Sequence, residues 1–216
     1  MSLFKEERIE CRFCRRKLPV TVHHSINVGL HPEHKQKVLD LSLFRFRCPH
    51  CGKTDILYYP TLYHDPEQRL MIQVFWREED FGQPLDAELR TLIEIMGQKD
   101  YRRREVFGYA ELVEKIRIFD AGLDDFAIAL LKTVHKLEHP EVQTLFTEKT
   151  GDELYFMRVG EEGALPEALV VNTEAYERGA ELAGKLRKPH DDYESLRVDE
   201  NYFYDAVAAS IRQDPE

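Results

Sequence analysis

Cys48-Pro49-His50-Cys51-Gly52 is the stretch on which the reading of the fold turns. Two cysteines with a two-residue gap let one tight turn aim both sulfurs at a single tetrahedral cation. Pro49 stiffens that turn, and Gly52 can take the positive φ that brings backbone amides to face the thiolates. Upstream the same gap recurs at Cys11-Arg12-Phe13-Cys14, and these two pairs are all 4 cysteines of the 216-residue chain. The pattern points to one closed, structural zinc ion held by Cys11, Cys14, Cys48 and Cys51. A closed site holds shape and leaves no position for a substrate.

Other readings of the cysteines stand beside this one. A redox pair needs one Cys-x-x-Cys at a helix start, which two such motifs in one chain fit poorly. Disulfides do not suit a chain expected in the cytoplasm. His50 or His23 can replace a sulfur ligand, although four cysteines make that unnecessary. The 33 residues between Cys14 and Cys48 are long for a minimal ribbon and suit two turns on separate hairpins with a helix inserted between them.

Outward from the cysteines, short strands are expected at 5–11 and 17–28, a helix at 32–41, and strands at Leu43–Cys48, Asp55–Pro60 and Arg69–Trp76. From Pro84 the period changes. Leu85, Leu89, Leu92, Ile93 and Met96 mark an amphipathic helix closed by Gly97. Tyr101–Phe107 reads as a strand, 109–120 as a helix ended by Gly122, and Asp124 or Asp125 caps a helix with Phe126, Leu130, Val134 and Leu137 inward. Strands at Leu154–Val159 and Ala168–Val171 flank a turn at Glu161-Glu162-Gly163. Thr173 caps a helix to about Leu186, and Tyr202–Ile211 is a last helix.

The fold class expected is α+β: a zinc-ribbon-like antiparallel β module with packed helices over 1–138, then an acidic mixed α/β region over 139–216. The boundary near 139–141 rests largely on charge. Residues 1–138 carry 22 basic and 22 acidic side chains, so the net charge of −10 lies wholly beyond them. Residues 1–53 hold 11 basic against 5 acidic side chains. Composition is that of an ordinary globular protein, 43% hydrophobic and 32% charged. No run approaches the ~18 apolar residues of a membrane span, and Met1–Glu10 lacks the apolar stretch of a signal peptide, so a cytoplasmic location is expected.

These residues resemble the CpXC-domain proteins, a bacterial and archaeal family named for two Cys-Pro-x-Cys turns. The resemblance is carried by Cys48-Pro49-His50-Cys51-Gly52-Lys53, Leu43-Phe44-Arg45-Phe46, Ser25-Ile26-Asn27-Val28, Tyr59-Pro60 and Leu62-Tyr63-His64-Asp65-Pro66-Glu67. Further on it includes Glu111-Leu112-Val113-Glu114-Lys115-Ile116 and Phe119-Asp120-Ala121-Gly122-Leu123-Asp124-Asp125. It spans about residues 8–138 and implies a zinc-ribbon-like module without a known activity. The chain departs from the family pattern at Cys11-Arg12-Phe13-Cys14-Arg15, which lacks the proline and the glycine, so the first turn is expected to be less rigid than the second.

Three functions remain open. The first is a non-enzymatic protein-binding or adaptor module, with the aromatic group Tyr58, Tyr59, Tyr63 and Trp76 serving as core or as a partner groove. The second is a nucleic-acid binder using Arg12, Phe13, Arg15, Arg16 and Lys17, extended by Arg102, Arg103 and Arg104 and masked by the acidic region. The overall acidity opposes it. The third is an enzyme using His64, Asp65 and Glu67 as an acid–base or second metal group, against the plainer reading of Asp65-Pro66 as a turn. His23, His24, His31 and His34 are read as surface or satisfied core side chains. No phosphate-binding glycine loop, nucleophile elbow or zinc-protease helix is present, and the sequence names no oligomeric state.

Overall fold

A computed structural model describes residues 2–77, 101–160, 165–187 and 195–213. The chain is α+β and divides into two compact units, Met1–Tyr109 with Asp192–Leu196, and Ala110–Asp191 with Arg197–Glu216. The helix expected on Leu85, Leu89, Leu92, Ile93 and Met96 with its closing Gly97, and the turn at Glu161-Glu162-Gly163, lie outside the described residues.

In the first unit a sheet runs in the order β1-β2-β5-β6-β7-β11. Its strands are β1 (Leu3–Glu10), β2 (Lys17–Asn27), β5 (Thr61–Asp65), β6 (Leu70–Phe75), β7 (Arg102–Phe107) and β11 (Ser195–Leu196). β1 and β2 form an antiparallel pair from Glu10↔Lys17 outward, so the first cysteine turn closes this hairpin. Leu18, Val20 and Val22 are buried and their neighbours Lys17, Pro19 and Thr21 are exposed, the period-2 signature of a strand with one wet face. From Ser25 onward β2 pairs in parallel with β5, and both its faces become buried.

β5 itself was not expected as a strand. All five of its residues are buried because it lies between β2 and β6, so the hydrophobic alternation that marks a half-exposed strand is missing. The turn expected at Asp65-Pro66 follows immediately, over residues 66–69. Between β2 and β5 lie α1 (Glu33–Leu39), a 3-10 turn (Ser42–Phe44) and the small hairpin β3 (Arg45–Arg47) with β4 (Thr54–Ile56). The second cysteine turn closes that hairpin. Both strands are shorter than their sequence suggests, since Leu43 and Phe44 belong to the 3-10 turn.

In the second unit, α2 (Gly108–Asp120), whose first residues still belong to the first unit, is followed by α3 (Asp125–Glu138) and the antiparallel sheet β10-β9-β8. Those strands are β8 (Gln143–Thr150), β9 (Glu153–Val159) and β10 (Glu167–Asn172), and α4 (Thr173–Leu186) and α5 (Tyr204–Gln213) complete the unit. Ile118, Leu123 and Ile128 share one core with Phe146, Leu154 and Phe156. The helices thus pack on the β8–β10 sheet, and the charge shift near 139–141 falls at the α3–β8 connection inside this unit.

Asp124 caps α3 by accepting the Phe126 amide at 2.9 Å, and α2 ends at Gly122 with φ 68°. Asn172, one residue before the expected Thr173, caps α4 by accepting the Ala175 amide at 2.8 Å. β8 escaped the sequence reading because a register shift between Phe146 and Glu148 breaks its alternation. Val134, expected inward on α3, is 45% exposed, while Lys132, Thr133 and His135 beside it are buried. Charge pairing explains the lysines. Lys132 donates to both oxygens of Glu114 at 3.0 and 2.9 Å, and Lys115 meets Asp125 at 2.8 Å. No helix among the described residues is long and apolar enough to cross a membrane.

Candidate metal centre

The two hairpin turns of the first unit bring Cys11, Cys14, Cys48 and Cys51 together with their sulfurs within 4.8 Å of one another. Cys11 Sγ lies 3.8 Å from Cys51 Sγ, and Cys14 Sγ lies 3.8 Å from Cys48 Sγ. Two metal–sulfur bonds of about 2.3 Å at a tetrahedral angle put their sulfurs about 3.8 Å apart, so the quartet fits one metal ion without rearrangement. A disulfide, by contrast, needs its sulfurs at about 2.05 Å, and all four cysteines are free thiols. Neither His50 nor His23 belongs to the cluster.

The turns are built alike. In the first, the Cys11 amide donates to Arg16 O at 3.0 Å and the Arg15 amide to Cys11 O at 2.8 Å. In the second, the Cys48 amide donates to Lys53 O at 2.8 Å and the Gly52 amide to Cys48 O at 2.9 Å. Arg15 therefore occupies the place of Gly52, and the two share a left-handed backbone, φ 60° and 69°. The first turn lacks the glycine, and an arginine held in the glycine conformation gives it the same shape as the second. The repeated Cys-x-x-Cys-x frame was the signal that could have placed Arg15 there.

Amides and burial set the thiol chemistry. Burial pushes the Cys48 thiol up, but the amides of Cys51 and His50 together with the sulfurs of Cys51 and Cys11 bring it down to about 7. The Lys53 amide pulls the Cys51 thiol down, yet burial and the sulfurs of Cys48, Cys11 and Cys14 push it up to about 11. Four sulfurs this close repel one another as thiolates, and a divalent cation relieves that repulsion. Cys11 and Cys48 are buried beside Leu18, Val20 and Val22, while Cys14 and Cys51 are more open to solvent. The arrangement can hold a metal, and four protein ligands fill a tetrahedral ion completely.

The remaining residues singled out from the sequence fall into separate places. His64 is buried on β5, where its Nδ1 lies 3.1 Å from Asn27 Nδ2, and burial lowers its pKa to about 4. Asp65 follows on the same strand, paired with Lys35 at 3.3 Å and accepting the Gln68 amide at 3.2 Å, whereas Glu67 is exposed in the turn. Among the described residues, His64, Asp65 and Glu67 do not gather as a metal cluster. Successive strand residues point to opposite faces, which keeps this trio apart.

Arg12 pairs with Asp55 at 2.7 Å and stacks over Phe13, and Arg15 pairs with Glu10 at 3.2 Å, so part of the basic surface around the first turn is neutralised. Arg104 does not extend it: its side chain is 1% exposed, and Nη1 donates to Arg103 O. Trp76 donates to Tyr59 O at 2.9 Å and packs edge-on against Tyr58 and Tyr109, while Tyr63 is fully buried. Of this aromatic group only Tyr63 is core; Tyr59 and Trp76 are half-buried and Tyr58 is exposed. His23, His31 and His34 gather in one cluster, and His24 sits apart beside Glu7 at 3.3 Å.

A β unit whose two cysteine hairpins bring four sulfurs together defines a class of protein able to hold a metal ion at that point. The family model described as CpXC protein matches residues 9–132, more than half of the chain, and the chain belongs to that family. No curated protein and no solved structure matches it.

Proposed function

We propose that the protein is a non-enzymatic protein-binding module whose first unit is stapled by one structural zinc ion on Cys11, Cys14, Cys48 and Cys51. The observation that carries this reading is the sulfur quartet, whose 3.8 Å separations suit tetrahedral thiolate coordination and whose four ligands leave no place for a substrate. Zinc is favoured over other cations because an all-sulfur tetrahedral set is the structural zinc environment, although iron shares it. A cleft of about 400 Å³ next to the second turn supports the binding role. Leu18, Val20, Phe46 and Tyr59 line it, with Arg45 and Arg47 also on its wall. Apolar side chains flanked by guanidinium groups suit a peptide segment with apolar anchors and neighbouring carboxylates.

Elemental analysis of protein purified without added metal should return one zinc per chain, and none of any metal would overturn the stapling. A photo-reactive residue at Leu43 in the cleft should crosslink a protein in cells, and Arg45→Glu with Arg47→Glu should abolish that adduct. Crosslinking unaffected by the charge reversal would remove the cleft from the reading.

A further inference from the structure

The histidines between the two cysteine hairpins are held in place by the backbone. Asn27 Oδ1 accepts the amides of Gly29 and Leu30, and Asn27 O accepts the His31 amide at 3.0 Å. Pro32 then starts α1 with φ −58°, the His34 amide donates to His31 O at 3.0 Å, and fully buried Val38 anchors the far end of the helix. This frame sets His31 and His34 three residues apart with their rings stacked at 4.9 Å, and Glu33 between them in sequence.

The donor atoms lie at telling distances. Glu33 Oε1 is 3.5 Å from His31 Nδ1 and 3.7 Å from His34 Nε2, and one donor from each residue falls within 4.8 Å of the others. Both contacts exceed the roughly 2.7–3.2 Å of a hydrogen bond. Two ligand atoms sharing a cation with bonds of about 2.1 Å at a tetrahedral angle sit about 3.4 Å apart, close to what is seen. We propose that His31, Glu33 and His34 form a second metal site, separate from the sulfur quartet, that reversibly binds a borderline divalent transition-metal ion such as Zn²⁺ or Ni²⁺.

The surroundings suit that role. His34 Nδ1 is buried without a hydrogen-bond partner, so Nε2, facing Glu33, is the ring's outlet. Burial holds His34 below the ordinary histidine range. Glu33 is held in its ionised form, chiefly by its own backbone amide. Lys37 acts in the opposite sense, as a nearby cation that weakens binding. Two nitrogens and one oxygen favour borderline ions over the soft ones that sulfur selects. Three protein ligands leave at least one position for water, and side chains of His31 and Glu33 that are 43% and 55% exposed let the ion come and go.

The test uses full-length protein already carrying metal on its cysteines. Titration with Zn²⁺ against a chromophoric chelator should show one further equivalent. His31→Ala or Glu33→Gln, both at exposed positions, should weaken it by at least the roughly 10- to 100-fold that loss of even a supporting partner costs a metal site, and His24→Ala should leave it unchanged. In wild-type protein, Ni²⁺ should broaden the ring resonances of His31 and His34 before any other histidine. Absence of a second equivalent, its survival in the His31→Ala/His34→Ala variant, or broadening confined to the cysteine turns would overturn the site. Because the equivalent is read as a difference between wild type and histidine variants, it stands or falls independently of what the cysteines hold.

Discussion

In the first unit the cysteine turns sit at the ends of short or one-sidedly wet hairpins, and what gathers them is a quartet of sulfurs. In the second unit two helices lie on a three-stranded sheet around Ile118, Phe146, Leu154 and Phe156, with lysines buried against carboxylates. The first arrangement is one that can hold an ion between its sulfurs. The second is complete in its own side chains. Small β hairpins bury too little apolar surface to be stable alone, so an ion on the four sulfurs would add to the modest core beside the cysteine turns.

Removing the metal should expose the difference most strongly. Structural zinc contributes ~10–16 kcal/mol in small modules, against the ~5–15 kcal/mol that stabilises a typical domain. Cys48→Ser, or a strong chelator, should abolish amide-exchange protection in β1–β4 while α2, α3 and β8–β10 stay protected. Simultaneous loss in both units would erase the distinction.

The opposite perturbation falls on the second unit. Lys132→Met leaves the buried Glu114 carboxylate without its cation, and Glu114 also accepts the Phe146 amide at 2.7 Å. Such a loss typically costs ~3–5 kcal/mol, to be read from urea unfolding at unchanged metal content. Burial lowers the Lys132 pKa, but Glu114 and then Glu200 raise it beyond the ordinary lysine value. A raised folded pKa means this stabilisation is full below about pH 10 and is lost as pH climbs through the raised value. A flat alkaline profile in wild-type protein would contradict it.

On the acid side the sensitivity shifts to the first unit. His64 is buried with its pKa lowered to about 4, so it is neutral when folded and takes up a proton on unfolding. Its contribution is therefore present above the unfolded histidine pKa and is lost between about pH 6.5 and 4, by up to ~3 kcal/mol. His64→Gln should flatten that part of the stability profile. An unchanged slope would assign the acid lability elsewhere.

The smallest effect separates the two cysteine turns. Gly52→Ala puts a Cβ on a left-handed residue and should cost ~1–2 kcal/mol, measured as a lower melting temperature of metal-loaded protein. Arg15→Gly relieves the same strain in the first turn and should be neutral or slightly stabilising. Equal losses from both would mean that the turns are not equivalent after all.

Much of this was legible in the sequence wherever the cause is local. A Cys-x-x-Cys turn, an aspartate before a helix and a glycine after one act within a few residues: Asp124 caps its helix, Gly122 ends the one before, and the four cysteines sit in two like turns. What escaped depends on partners far along the chain. β5 went unread because burial on both faces removes its alternation, and β8 was hidden by a bulge. Arg104 looked like surface charge, yet β7 lies between β6 and β11.

The amino-acid order alone pointed to the family, the α+β class and the two cysteine pairs, since spacing along a backbone constrains what one turn can present to an ion. Tertiary structure alone decided that both pairs meet at one point, that the helices after residue 109 core with β8–β10, and that His31, Glu33 and His34 converge while His64, Asp65 and Glu67 do not. Those outcomes depend on which distant surfaces bury one another, and that free energy is shared among contacts no local pattern records.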